Sequence, residues 1–221
     1  MIYDFRMYTL KPGSTPDYMA AVKELALPIR QRYGIKLAGW YYSDIGELNQ
    51  VVHIWGYRDH ANLREAKAQV HADPDWSGKY VPRITPIILT QKTYLMLSPN
   101  FAPEPAAVSA MPGSSMVYDF RVYTVKHGTT PDYIKAVKEL GLPIRLRYGV
   151  KLAGWYYPDL GELNKIVHIW AYRDHAHMKE ARAQVYADPD WDEKYVPRVQ
   201  GHLTAQQNYL MLSPDFAPAP A

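Results

Sequence analysis

The chain has 221 residues, 48% of them hydrophobic, enough for one large domain or two small ones with real cores. Lys plus Arg number 25 against 22 Asp plus Glu, a formal charge of +3, which argues against charge-driven binding to nucleic acid or an anionic membrane. The absence of cysteine excludes disulfides, thiolate metal sites and cysteine nucleophiles.

Ile2–Leu10 reads as a strand that ends at the Pro12-Gly13 turn. Thr15 is a plausible N-cap for a helix with Pro16 and Asp17 in its first turn. Ala20, Ala21, Val22, Leu25, Ile29 and Tyr33 follow a helical period, and Gly34 is a natural stop. Lys36–Ser43 and Asn49–Tyr57 read as two strands of a hairpin with a long loop. Asp59 caps a second helix to about Ala72, and Asp73-Pro74 restarts a short one carrying Trp76 and Tyr80. A last strand falls within Ile84–Leu97. The order β-α-β-β-α-β is the split βαβ, or ferredoxin-like, arrangement.

The whole pattern then repeats. YDFRMYTLKPGSTPDY from Tyr3 returns as YDFRVYTVKHGTTPDY from Tyr118, an offset of 115, without a gap to the matching SPNFAP and SPDFAP segments. This tandem duplication divides the chain into a first unit at 1–98, a Pro/Ala/Ser-rich linker at 99–116, a second unit at 117–213 and a tail at 214–221. A ferredoxin-like unit covers only one face of its sheet with helices. The two bare faces are therefore expected to meet, giving an α+β fold in which the tandem units form an intramolecular pseudo-dimer, a dimeric α+β barrel within one chain. This pseudo-dimer could itself pair as a homodimer.

Alternation along the strands separates two sets of side chains. Phe5, Met7, Val52 and Ile54 are expected to face the helices. Arg6, Tyr8, His53, Trp55 and Tyr57 are expected to line a cavity inside the barrel, with Arg121, Tyr123, His168, Trp170 and Tyr172 as their counterparts. The second strand leaves its parity open: either Trp40 and Tyr42, or Tyr41, enters the cavity. His53 and His168 are candidates for proton transfer, being the groups with an unperturbed pKa near neutrality. Arg6 and Arg121 could hold a carboxylate or stabilise an enolate. The tyrosines and tryptophans would bind a flat substrate. Each residue also has a structural reading: Arg6 can pair with Asp4, the histidines can be satisfied core residues, and the aromatics can simply plug the barrel. The copies diverge most in the last strand, where His202 and Gln206 are further ligand candidates on a more polar second face. Arg30, Arg32, Arg145 and Arg147 read as surface cations that favour a helix C-terminus.

His175-Ala-His177 has the wrong helical spacing for a metal pair, and no phosphate-binding loop, nucleophile elbow or HExxH motif occurs. No metal and no cofactor is expected. No apolar run approaches the ~20 residues of a membrane span, and the N-terminus lacks a signal-peptide core. The expectation is a cytoplasmic protein with a small-molecule ligand and neither a nucleic-acid nor a membrane partner.

The segments YDFRMYTLKPGSTPDY, LPIRQRYG, KLAGWYYSDIGELNQVVHIWGY and ADPDW, all repeated in the second copy, resemble the NIPSNAP family. The resemblance implies a dimeric α+β barrel of ferredoxin-like units. The wider superfamily includes cofactor-free monooxygenases, isomerases, decarboxylases and haem proteins, so the resemblance is compatible with a cofactor-independent enzyme, by proton transfer or monooxygenation, acting on a small organic acid or carbonyl compound. The alternative is a non-catalytic ligand-binding or accessory protein, and haem binding through His53 is a third reading.

Overall fold

The computed structural model describes residues 1–105 and 115–220; half of the expected linker, 106–114, lies outside the described residues. The first unit contains strands β1 (Ile2–Leu10), β2 (Lys36–Ile45), β3 (Gln50–Tyr57) and β4 (Ile88–Leu97). The second contains β5 (Val117–Val125), β6 (Lys151–Leu160), β7 (Lys165–Tyr172) and β8 (Leu203–Leu212). The eight strands close in the order β1-β3-β2-β8-β5-β7-β6-β4. All pairings are antiparallel, and β1 and β3 are neighbours as the topology requires. Two seams join the halves. Tyr42 of β2 pairs with Leu212 of β8, and Leu97 of β4 pairs with Tyr157 of β6. Closure removes the free sheet edges that either unit would expose alone.

The segments after the last strands are exchanged. Ser98 Oγ donates to the Trp155 carbonyl at 2.9 Å, and Phe101 sets its ring 5.8 Å from that of Trp155. Reciprocally, Ser213 Oγ donates to the Trp40 carbonyl at 3.0 Å, and Phe216 lies 5.5 Å from Trp40. Phe101 and Phe216, read from sequence as linker and tail, thus brace the opposite half.

The first long helix runs over residues 15–32, starting at Thr15 itself; Ser14 takes the cap position and its hydroxyl bonds back to the Lys11 carbonyl. Asp59 caps the helix His60–Ala72 by accepting from the Asn62 N–H at 2.8 Å, as expected. The short helix that follows Asp73 spans 76–84. Both proline-containing helices hold a wide π-type turn that the periodicity did not signal. The Leu27 N–H reaches the Val22 carbonyl and the Val81 N–H reaches that of Trp76, each a span of five residues. Leu142 and Val196 repeat this in the second half. In every case the next residue is proline (Pro28, Pro82, Pro143, Pro197). Proline donates no hydrogen bond and crowds the carbonyl four residues back, so one widened turn lets the helix continue. The widening has a second effect. Residues spaced by four drift around an ideal 3.6-residue helix; the wide turn absorbs that drift and keeps Tyr18, Val22, Ala26 and Arg30 buried together.

The two faces of the sheet are the reverse of the expectation. The barrel interior holds Tyr3, Phe5, Tyr41, Val52, Ile54 and Met96 with their second-half counterparts, as one cluster shared by both units. Phe5 and Phe120 lie 6.1 Å apart, and Tyr41 meets Tyr118 at 5.0 Å. The open parity of β2 resolves with Tyr41 inside and Trp40 and Tyr42 on the helix side. Gly39 makes room for this: a Cβ there would lie 2.7 Å from the Tyr41 ring, and Gly154 stands in the same relation to Tyr156. The polar-aromatic set faces the helices instead, where Tyr8, Trp55 and Tyr57 join the first helix in a separate core. An eight-stranded barrel is just wide enough to be filled by its own side chains, so its interior takes residues that need few polar partners. Arg6 and His53 need such partners, and the helices supply them. Among the described residues, no helix is long and apolar enough to cross a membrane.

Candidate functional site

Each half has a cavity between the helix-covered face of its sheet and the short helix at 76–84 or 191–199. The first measures about 500 Å³ and the second about 440 Å³, within the range of ~300–1,000 Å³ typical of small-molecule sites. Arg6, Tyr8 and His53 line the first, with Arg30, Trp76, Tyr80 and Gln91. Arg121, Tyr123 and Gln206 line the second, with Arg145, Trp191 and Tyr195. The residues grouped by alternation therefore remain neighbours, on the other side of the sheet. Register explains this: Arg6 stands opposite His53 on β3 and Thr93 on β4, and Tyr8 stands opposite Gln91.

Arg6 is committed within its own strand. Its Nε and one terminal nitrogen donate to Asp4 Oδ2 at 3.1 and 2.8 Å, and the other terminal nitrogen donates to Tyr8 Oη at 2.9 Å. Lys67 Nζ adds a second cation to the same Asp4 oxygen at 2.9 Å. Burial alone would raise the Asp4 carboxyl; Arg6 and Lys67 outweigh it and hold the pKa down at about 2. Arg121 repeats the arrangement with Asp119 and Tyr123. Arg6 and Arg121 thus pin the tyrosine hydroxyls at the cavity wall.

The histidines differ from expectation in chemistry as well as place. The Trp55 indole N–H donates to His53 Nδ1 at 2.7 Å, so the imidazole proton sits on Nε2, which lies 3.3 Å from Tyr18 Oη. Burial, then the Arg6 and Arg30 charges, push the His53 pKa well below its ordinary value. Trp170 holds His168 Nδ1 in the same way at 2.6 Å, and its pKa is likewise depressed by burial, Arg121 and Arg145. Each imidazole is neutral with its basic nitrogen already occupied; the Nε2 of His53 faces Tyr18, whereas that of His168 is buried without a hydrogen-bond partner. That arrangement removes the physical basis for the proton-accepting role expected of His53 and His168.

Trp55, Tyr57, Trp170 and Tyr172 are buried beneath the cavities rather than lining them. Burial, with Asp119 nearby, lifts the Tyr172 phenol to about 12. His168 is also absent from the wall of its cavity. His202 lies in the turn before β8, half-buried, with its N–H on the Val199 carbonyl and its own carbonyl accepting from Lys126. The strand begins one residue later, which removes His202 from the cavity while Gln206 stays in it, opposite Tyr123.

Sequence reasoning missed Arg30 and Arg145. Both were read as surface cations, yet Arg30 is only 4% exposed and Arg145 only 5%. The Arg30 guanidinium stacks 4.3 Å from the Trp55 ring centre and 5.0 Å from that of Trp76. Arg145 stacks at 4.4 Å on Trp170 and 4.7 Å on Trp191. Among the described residues no carboxylate forms an ion pair with either, and Arg30 Nε is buried without a hydrogen-bond partner. The four-residue spacing through Tyr18, Val22 and Ala26 was the available signal that position 30 turns inward. Arg32 and Arg147 do serve locally, each on a buried aspartate, Asp73 or Asp188, at 2.7 Å. Among the described residues no group of three His, Asp or Glu side chains could hold a metal ion.

A buried guanidinium without a carboxylate is costly unless something compensates. Stacking on tryptophan offsets part of that cost; Arg145 Nη1 donates to the Gly141 carbonyl at 2.9 Å, and the remaining donors of each guanidinium are available to an anion. Arg30 and Arg145 each line their cavity, beside a wall of packed aromatic rings.

The NIPSNAP family pattern matches residues 3–103 and 118–218, one match per copy. Human NipSnap homolog 3B is 26% identical over 98% of this chain and 85% of its own length. The NipSnap protein of Drosophila melanogaster is 21% identical over 99% of this chain and 79% of its own. Two solved structures share the whole architecture. One, from Lactobacillus acidophilus and proposed to be a monooxygenase, aligns over 100% of this chain and 98% of its own at TM-score 0.66 and 16% identity. The other, from Fusobacterium nucleatum and likewise proposed to be a monooxygenase, aligns over 100% and 96% at TM-score 0.67 and 9% identity. At such identities the likeness concerns the fold alone.

Proposed function

The chain belongs to the NIPSNAP family, and from that premise we propose that it binds small, flat organic acids in its two helix-side cavities. The observation that carries this is the buried, carboxylate-free guanidinium in each cavity, Arg30 and Arg145. A ligand carboxylate supplies the missing anion, through the charge-assisted hydrogen bonds that guanidinium groups form best. Trp76 and Tyr80, whose rings pack 4.5 Å apart, or Trp191 and Tyr195 at 4.6 Å, form an aromatic wall beside the ligand's planar body. Tyr8 with Gln91, or Tyr123 with Gln206, offers polar contacts for a carbonyl or hydroxyl. Arg6 and Arg121 act at one remove by fixing the tyrosines.

A second reading adds turnover. The two whole-chain fold neighbours are proposed to be monooxygenases, and by analogy of fold we infer oxygenation of a bound conjugated acid as the turnover to test. In that chemistry a guanidinium beside the substrate favours its enolate. The neutral, donor-only histidines weigh against proton abstraction by His53 or His168.

Calorimetric titration with benzoate tests the binding reading. The wild type should bind it, and the double variant Arg30→Met/Arg145→Met should lose binding while unfolding at an unchanged or higher denaturant concentration. Equal benzoate affinity in the variant would overturn the proposal. Oxygen uptake by the protein with a panel of conjugated hydroxy acids, absent from buffer controls, would establish turnover; no uptake with acids that bind would leave a binding protein.

A further inference from the structure

The two cavities share a floor but not a wall. Arg6, Tyr8, Arg30, Trp76, Tyr80 and Gln91 have identical counterparts 115 residues on. The difference in cationic groups lies on one face of the second helix of each unit, beside uncharged changes in the short helix and last strand such as Thr85 to Gln200 and Ile88 to Leu203. Positions 67 and 71 are Lys and His in the first half; positions 182 and 186 are Arg and Tyr in the second. Each pair is four residues apart and so lies on the same helical face.

Their environments diverge further than their identities. Lys67 is spent on Asp4 at 2.9 Å, and neither Lys67 nor His71 lines the first cavity. Arg182 and Tyr186 both line the second. Among the described residues no carboxylate pairs with Arg182, and Asp119 is paired with Arg121. The first cavity therefore presents one carboxylate-free guanidinium, Arg30. The second presents two, Arg145 and Arg182, and adds the Tyr186 hydroxyl.

Resting on the organic-acid reading above, we propose that the second cavity takes acids carrying two anionic groups, one on Arg145 and one on Arg182 with Tyr186, whereas the first takes monoanions. The Arg182 guanidinium carbon lies 6.0 Å from the Tyr186 ring centre, which places the pair together at the cavity wall. The local field agrees. Burial would raise the Tyr186 phenol, yet the nearby Arg121 and Arg182 charges lower it below its ordinary value. A site that favours a negative oxygen on tyrosine favours one on a ligand. Tandem duplication supplies the means: one floor retained twice, with the cations on one helical face changed to alter the charge of the guest.

The test uses the full chain carrying Arg30→Met, which silences the first cavity, and two kinds of probe: benzoate, and the three isomeric benzenedicarboxylates. All titrations are made at one ionic strength, because anion affinities fall with salt. At least one dicarboxylate should bind about tenfold or more tighter than benzoate, the scale of one added charge-assisted contact. Adding Arg182→Lys and Tyr186→His installs residues that the first unit already carries at the matching positions, so the fold should accept them. This exchange should abolish the dicarboxylate preference and leave benzoate affinity within about twofold. A dicarboxylate that binds no better than benzoate, or a preference that survives the exchange, would overturn this inference while organic-acid binding stands. Failure of every probe to bind would overturn both.

Discussion

The inner and outer faces of one sheet are made by alternate residues of the same strands, yet they are chemically opposite. Phe5 and Ile54 point into a closed barrel whose core joins the two halves; Arg6 and His53, their immediate neighbours in sequence, point toward the helices and a cavity in each half. The inner face joins the duplicated units into one body. The outer face gives each unit its own site. Binding chemistry can therefore differ between halves without disturbing the interface that unites them.

The inner face should be the more sensitive to truncation. Phe120→Ala removes a fully buried ring shared between the halves and should cost about 3–5 kcal/mol of stability, read from urea unfolding, while benzoate affinity in the folded protein stays near wild type. A loss of binding without loss of stability would mean that ligand sits inside the barrel.

The outer face should show the reverse pattern. Arg30→Met should weaken benzoate binding in the first cavity by about 1.5–3 kcal/mol, the range for hydrogen bonds to charged groups. Stability should hold or rise, because the change removes a buried charge without an ion-pair partner. A large drop in stability would make Arg30 a structural element rather than a ligand group.

A steric change at the inner face should be intermediate in stability. Gly154→Ala places a methyl against the Tyr156 ring and should cost about 1–3 kcal/mol through forced repacking. An unchanged unfolding midpoint would show that the tyrosine ring yields freely.

Protonation should produce the smallest effect. His53 and His168 have folded-state pKa values depressed below the ordinary 6.5. The unfolded chain therefore binds protons first as pH falls, and stability is lost from about pH 6.5 downward. Asp4 adds a second loss, between its ordinary 3.8 and its folded value of about 2. His53→Gln should flatten the slope just below pH 6.5. A wild-type profile without that slope would contradict the neutral, indole-held imidazole.

The sequence made the duplication, the order of elements and the neighbourhood of Arg6, Tyr8 and His53 legible, because periodicity and topology decide which residues share a face. It did not reveal which side that face looks toward. The inner set was assigned to the helices on the ground that aliphatic residues suit them; the barrel proved the drier compartment, and the helices the source of polar partners such as Tyr18. Arg30 was misread for a related reason. A cation in a last helical turn has a ready explanation in the helix dipole, and only the wide turn ahead of Pro28 turns it inward. His202 was placed by simple alternation, which fails where the β5–β8 register shifts between Thr124 and Val125.

The central claim is that the helix-side face, not the barrel interior, receives the ligand. A crystal structure of the chain grown with benzoate tests it most directly. The account predicts a carboxylate against the guanidinium of Arg30 or Arg145, with the ring beside Trp76 or Trp191. Benzoate bound within the barrel among Phe5, Tyr41 and Phe120, with both helix-side cavities holding only water, would contradict it.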